Sequence, residues 1–228
     1  EANRLHRHAV LEGMKTIILT HCGKLGDFVY TWPVAAWLYK ERGVKVHWVL
    51  PNCFAAFRAV ESLLKLQSFT GAVSFCGHRV RSYGCGGQPY RFDPARHEFT
   101  GDYHNLGFRW WPDKFVTEYQ AEEHGFGWDK EWRLDIGPYP ELSEGIVASE
   151  HEAVPAGIAE RIDLSRDVLS NVRSLAAAKE ARCFFSSLAA ILYFARVPFT
   201  LFRQPWQPSL DNYFPDRSRY KLVELPGG

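Results

Sequence analysis

The chain has 228 residues, 46% of them hydrophobic and 23% charged, with a net charge of +1; this is a globular composition, long enough for one large or two small domains with real cores. Near-neutral charge provides no global attraction to nucleic acid or an anionic membrane, and no stretch approaches the roughly 20 apolar residues that span a bilayer. The five cysteines, Cys22, Cys53, Cys76, Cys85 and Cys183, are odd in number and form no CxxC pair, which argues against a disulfide framework or a structural zinc site and fits a reducing, cytoplasmic setting.

Residues 1–13, EANRLHRHAVLEG, have neither the apolar core nor the cleavage site of a signal peptide, and the single methionine, Met14, stands directly before the first strand. They read as a leader or appended segment. Residues 15–20 form a short apolar, β-branched run suited to a buried parallel strand. The turn Gly23-Lys24-Leu25-Gly26 then leads into an amphipathic helix reaching residue 42. Asp27 stands at the start of this helix, where a carboxylate serves either as a cap or as a catalytic base. Gly43 ends the helix, 44–50 is a second strand stopped by Pro51, 54–66 has helical spacing at Phe54, Phe57, Val60 and Leu64, and 71–76 is a third strand. The alternation predicts a parallel, helix-covered sheet.

Residues 78–100 lose all periodicity and carry Arg79, Arg81, Arg91 and Arg96 with Tyr83 and Tyr90 between them. They read as a solvated surface loop, with an anion-binding role as the second choice. Cys76, His78 and Cys85 lack a fourth ligand for a metal. A strand at 102–108 and a helix at 114–124, capped by Gly125, follow; Glu118 and Glu122 on that helix read as a surface pair. Residues 127–140 read as an interdomain connection. Beyond it the pattern restarts, with strands at 146–149 and 161–164, a helix 166–181 capped by Ser165, a strand 182–185, a helix 188–196 capped by Ser186 and Ser187, and a last strand 199–202. Residues 204–215, with Pro205, Pro208 and Pro215, read as an irregular tail that closes the fold. The predicted units are 14–140 and 141–228.

Neither GxGxxG nor GxxxxGK[ST] occurs, so no dinucleotide fingerprint or P-loop is supported. Two α/β units place a cleft at the carboxyl ends of their strands, and helix starts there offer free N–H groups to an anion.

The segment HCGKLGDFVYTWPVAAWL, residues 21–38, resembles the opening of the ADP-heptose:lipopolysaccharide heptosyltransferase family, glycosyltransferase family nine. Weaker likeness continues at YHNLG (103–107), VTEYQAEEHG (116–125) and SSLAAILYFARVP (186–198). The resemblance implies a GT-B-like α/β fold of two facing Rossmann-like domains, the second reduced. It implies inverting, metal-independent transfer from a nucleotide diphosphate sugar to an acceptor hydroxyl of a glycan or glycolipid, with no cofactor and with Asp27 as general base.

On that reading Gly23, Lys24, Gly26, Ser186 and Ser187 face the donor phosphates, and Ser149, Glu150 and Gln204 are further donor-side candidates. Asn105 and Arg109 face the acceptor. Counting back from Pro198, Phe185, Ser186, Ser187 and Ala190 stand where the family carries Asp, Ser/Thr, Gly and His. That departure leaves two alternatives: a non-catalytic binding or scaffold protein on the same frame, and a glycosyltransferase acting on hydroxymethylated DNA bases through the arginine segment.

Overall fold

The computed structural model describes residues 15–21, 24–51, 55–76, 103–107, 113–140, 143–148, 160–162, 167–207 and 209–226. The 1–13 segment, the arginine segment 78–100, Gly23, Arg109, Ser149 and Glu150 lie outside them. In the first half β1 (Thr16–Thr20) is central. It pairs in parallel with β2 (Lys45–Pro51), Thr16 opposite Lys45, and on its other side with β4 (Tyr103–Asn105). β3 (Thr70–Cys76) flanks β2, giving a parallel order β3-β2-β1-β4.

The second half forms a separate parallel sheet from β5 (Ser143–Ala148), β6 (Glu160–Arg161), β7 (Ala178–Phe184), β8 (Phe199–Arg203) and β9 (Tyr220–Glu224), in the order β6-β5-β7-β8-β9. The edge strand β9 overturns the expectation that the fold closes with the proline segment 204–215. The prolines end before Tyr220, and the YKLVE run then pairs with β8 from Phe199 opposite Tyr220 to Arg203 opposite Glu224.

Several helices are shorter than their periodicity suggests. The helix expected after Gly26 is two, α1 (Leu25–Val29) and α2 (Trp32–Arg42). Pro33 has no N–H to offer the carbonyl of Val29, so the ladder cannot continue; Thr31 closes the break by donating its N–H and its hydroxyl to Phe28 O, at 3.0 and 2.7 Å. Residues 32–36 are buried on every side, which an amphipathic helix would not be. The helix expected at 54–66 is likewise divided, into α3 (Ala55–Ala59) and α4 (Glu61–Leu66). Helix α5 spans Val116–Glu122.

Helix α6 spans Val168–Ala177, and the four residues after it, expected as helix, belong to β7. Its cap is Asp167, which accepts from Ser170 N at 3.1 Å and also bonds the Ser62 hydroxyl of the first half; Ser165, the expected cap, lies outside the described residues. Asp167→Ala is therefore expected to lower unfolding free energy by about 0.5–2 kcal/mol in urea titrations, and Asp167→Asn, which keeps an acceptor, by less.

Helix α7 (Ser187–Ala195) is buried from Leu188 to its end, as a helix apolar on all faces must be. Helix α8 (Leu210–Tyr213) and a 3₁₀ turn (Arg217–Arg219) lead into β9. One buried cluster runs through both halves, from Leu19, Phe28 and Trp48 to Leu175, Ile191 and Leu201. The stretch 126–140 has no helix or strand, yet it is a packed strap. Asp129 N donates to Pro33 O and Leu134 N to Phe194 O, both at 3.0 Å, while Gln67 and Asp135 exchange side-chain-to-backbone bonds at 2.7 and 3.1 Å.

Candidate active-site cleft

In open parallel sheets ligands bind at the carboxyl ends of strands where the order reverses, between β1 and β4 in the first sheet and between β5 and β7 in the second. The loop leaving β1 contains the predicted turn. Lys24 is the N-cap of α1, in extended conformation with no side-chain cap bond. Asp27 is the third helical residue, and its carboxylate reaches back to the Lys24 N–H, the reciprocal half of a capping box. Cap and base are thus not exclusive alternatives at this position.

Burial pushes the Asp27 carboxyl up to about 6, and the Lys24 charge and N–H oppose that rise only in part. A half-buried carboxyl near 6 is chemically able to accept a proton at neutral pH. His21, at the end of β1, is held by a 2.9 Å bond between Nδ1 and Leu106 O. Burial drives its pKa down to about 4 against the pull of the Leu106 and Lys24 backbones, so it is neutral at neutral pH and puts no cation beside Asp27.

Helix α1 is fixed from below by α5, where Gln120 Nε2 donates to Asp27 O at 3.2 Å and Thr117 Oγ1 to Tyr30 O at 2.8 Å. In the second sheet β7 ends in Phe184, and Ser186 enters α7 in extended conformation (φ −151°, ψ 177°). Unlike Asp167 and Ser209, it caps nothing with its side chain. Its Oγ is buried and has no hydrogen-bond partner among the described residues. The two turns touch: a Cβ placed on Gly26 would lie 3.8 Å from Ser187 Cα and 3.9 Å from its N. The starts of α1 and α7 therefore lie side by side, with room at Gly26 for no more than a small side chain in ordinary van der Waals contact with Ser187.

Of the residues expected at the site, Lys24, Gly26, Asp27, Ser186 and Ser187 therefore stand on adjoining turns. Asn105 ends β4 on the same carboxyl edge, where its carbonyl accepts from His124 Nε2 at 2.9 Å. Gln204 lies on the corresponding edge of the second sheet. Its N–H closes a turn onto Gln207 Oε1 at 2.8 Å, and Arg203 braces that turn through Gln207 O at 3.0 Å. Glu122 pairs with Lys114 at the surface, consistent with a solvated acid pair. His21, Thr117 and Gln120 escaped the sequence reading. The legible signal was a polar pair three apart at 117 and 120, on the same helical face as the apolar Val116 and Ala121. Among the described residues no group of three or more His, Cys, Asp and Glu side chains is placed to hold a metal ion.

No protein-family model matches the chain, and no curated protein matches its sequence. Solved structures do match. A glycosyl transferase family 9 structure from Veillonella parvula DSM 2008 superposes with a TM-score of 0.61 at 10% identity, over 92% of this chain and 86% of that one. The E. coli heptosyltransferase WaaC with ADP gives 0.58 at 12% identity over 93% and 94%, and the E. coli ADP-heptose lps heptosyltransferase II gives 0.58 at 12% over 94% and 92%. The two parallel sheets and their intervening helices thus have the GT-B-like α/β fold of these structures, as the opening motif implied.

Proposed function

We propose that the protein is a glycosyltransferase that moves a sugar from a nucleotide diphosphate sugar to a hydroxyl of a glycan or glycolipid, with inversion and with Asp27 as general base. The observation that carries this reading is the contact of Gly26 with Ser187, which sets a carboxylate of raised pKa on one wall and a helix start with an unpaired hydroxyl on the other. Asp27 takes the proton of the acceptor hydroxyl as its oxygen attacks the anomeric carbon. The bond to the diphosphate breaks on the opposite face, which inverts the centre.

The departing diphosphate gains charge. The N–H groups opening α7, the Ser186 hydroxyl and the Lys24 ammonium are the donors suited to take it up without a divalent ion. The likeness to the ADP-bound WaaC structure places adenine nucleotide sugars first among donors to try. No helix among the described residues is long and apolar enough to cross a membrane, and we assign the reaction to the cytoplasm on the strength of the cysteine pattern. The two units we take as 14–140 for the acceptor and 141–228 for the donor. A non-catalytic scaffold is favoured by one observation: Ala190, 1% exposed, provides no polar group where the resembling family carries His.

A panel of ADP-, GDP- and UDP-sugars tested by thermal shift, then by release of nucleoside diphosphate, separates the two readings. A stabilising donor that is turned over supports the enzyme. Stabilisation without release supports the scaffold, and no stabilisation by any donor overturns both. In the enzyme Ser186→Ala is expected to raise the donor KM about tenfold, the value of one hydrogen bond to a charged oxygen.

A further inference from the structure

At the other end of α7, remote from Ser186, the described residues enclose an open cleft of about 310 Å³, within the range of small-molecule sites, about 300–1,000 Å³. Its inner wall is aromatic. Phe115 packs on Trp128 with ring centroids 5.3 Å apart, and Trp132 on Phe194 at 5.7 Å. The lining also carries two carboxylates, Asp129 and Asp216, and two cations, Lys130 and Arg219, so its formal charge sums to zero.

Both carboxylates are held in place by the protein and both retain acceptor capacity. Asp129 receives Glu131 N on Oδ1 at 3.0 Å and Lys40 on Oδ2 at 3.4 Å. Of roughly four lone-pair sites on a carboxylate, two remain. Asp216 receives Ser218 N and Oγ on Oδ1, at 3.1 and 2.6 Å, and Arg219 Nε on Oδ2 at 2.7 Å, which leaves one. Lys130 stands over Trp128 at 5.4 Å and Arg219 over Tyr193 at 4.7 Å.

We propose that this cleft is a binding site for a neutral pyranose ring, separate from the catalytic cleft. A sugar has an apolar face of C–H groups that lies against aromatic rings and an edge of hydroxyls that donates to fixed carboxylates. An organic cation would be repelled by Lys130 and Arg219, and an anionic ligand by Asp129 and Asp216, so the balanced lining favours an uncharged polyol. The site stands whether or not Asp27 is a base.

Saturation-transfer NMR on the full chain tests it, with methyl glucoside, methyl galactoside, methyl mannoside, N-acetylglucosamine, maltose and cellobiose as neutral probes and with glucose 6-phosphate and tetramethylammonium as charged ones. The expected result is saturable binding of at least one neutral probe. The isosteric Asp129→Asn and Trp128→Ala should each weaken it about tenfold or more, while Asp27→Asn leaves it unchanged. No saturable neutral probe, equal binding by both cleft variants, or tighter binding of a charged probe would each overturn the proposal. Absence of nucleotide-sugar turnover in the unmutated protein, with sugar binding intact, counts against the catalytic reading alone.

Discussion

Asp27→Asn is expected to lower kcat for nucleoside diphosphate release by about 10²–10⁴-fold, the usual range for a positioned general base, and at the same time to make the fold more stable at neutral pH. The second half follows from the direction of the pKa shift. The carboxyl titrates at about 6 in the native protein, raised from 3.8 mainly by burial, so between these values the native state binds more protons than the unfolded one. The native state is undisturbed by this group below about pH 4 and loses stability as pH rises through about 6, where the buried carboxylate becomes charged.

Two pKa units correspond to about 2.7 kcal/mol at most, and solvent at the exposed edge of the carboxylate reduces this to the order of 1–2 kcal/mol. Asparagine escapes the charging penalty and still accepts from the Lys24 N–H. Its gain in Tm should therefore be full above about pH 7 and vanish towards pH 4. The wild-type rate should rise through pH 6 and level off, as the base must be deprotonated to act. A residue that is only a helix cap leaves turnover unchanged, and because asparagine keeps the acceptor, the gain in stability follows from burial in either case. Unchanged kcat in Asp27→Asn would remove Asp27 as the base.

What was legible in the chain depended on whether the signal was local. The β1 run, the Gly43 cap at φ 61° and the α7 start at Ser186-Ser187 are decided by neighbours in sequence, and each lies within a residue or two of its expected place. The opening turn carried enough pattern to point to the right fold. Boundaries decided by tertiary pairing were not visible. Residues 178–181 have a helical look, but Ala181 and Arg182 pair with Val147 and Ala148 of β5, and sheet formation prevails over local propensity. β9 was hidden by the prolines before it, although its place is fixed by β8. At the site Asp27 could be named because its turn is a local motif. Gln120 and Thr117 could not, because they reach α1 across about 90 residues of chain.

Tyr30→Ala is expected to cost about 3–5 kcal/mol, the range for removing a fully packed aromatic ring, a large part of the 5–15 kcal/mol that keeps a domain folded. Tyr30 lies three residues beyond Asp27 and is 2% exposed. Its ring meets Phe115 of the first half at 5.9 Å and, in the second half, Phe194 at 5.3 Å and Tyr213 at 5.6 Å. Its hydroxyl donates to Tyr213 O at 2.8 Å, and burial holds its pKa well above the ordinary value, so it remains a donor at any working pH.

The pair Tyr30→Phe and Tyr30→Ala separates these contributions. Phenylalanine keeps the ring contacts and loses the hydrogen bond to the Tyr213 carbonyl, a loss of about 0.5–1.5 kcal/mol with an unchanged denaturant slope. Alanine also removes the rings joining the halves, so its urea transition should fall further and lose cooperativity as each half unfolds on its own terms. Because Tyr30 is the C-cap of α1, the helix that holds Gly26 and Asp27, the same variant should loosen the seating of Gly26 beside Ser187 and lower turnover. A cost below about 1 kcal/mol for Tyr30→Ala, within the usual surface range, would show that the two halves are held together by the strap 126–140 instead.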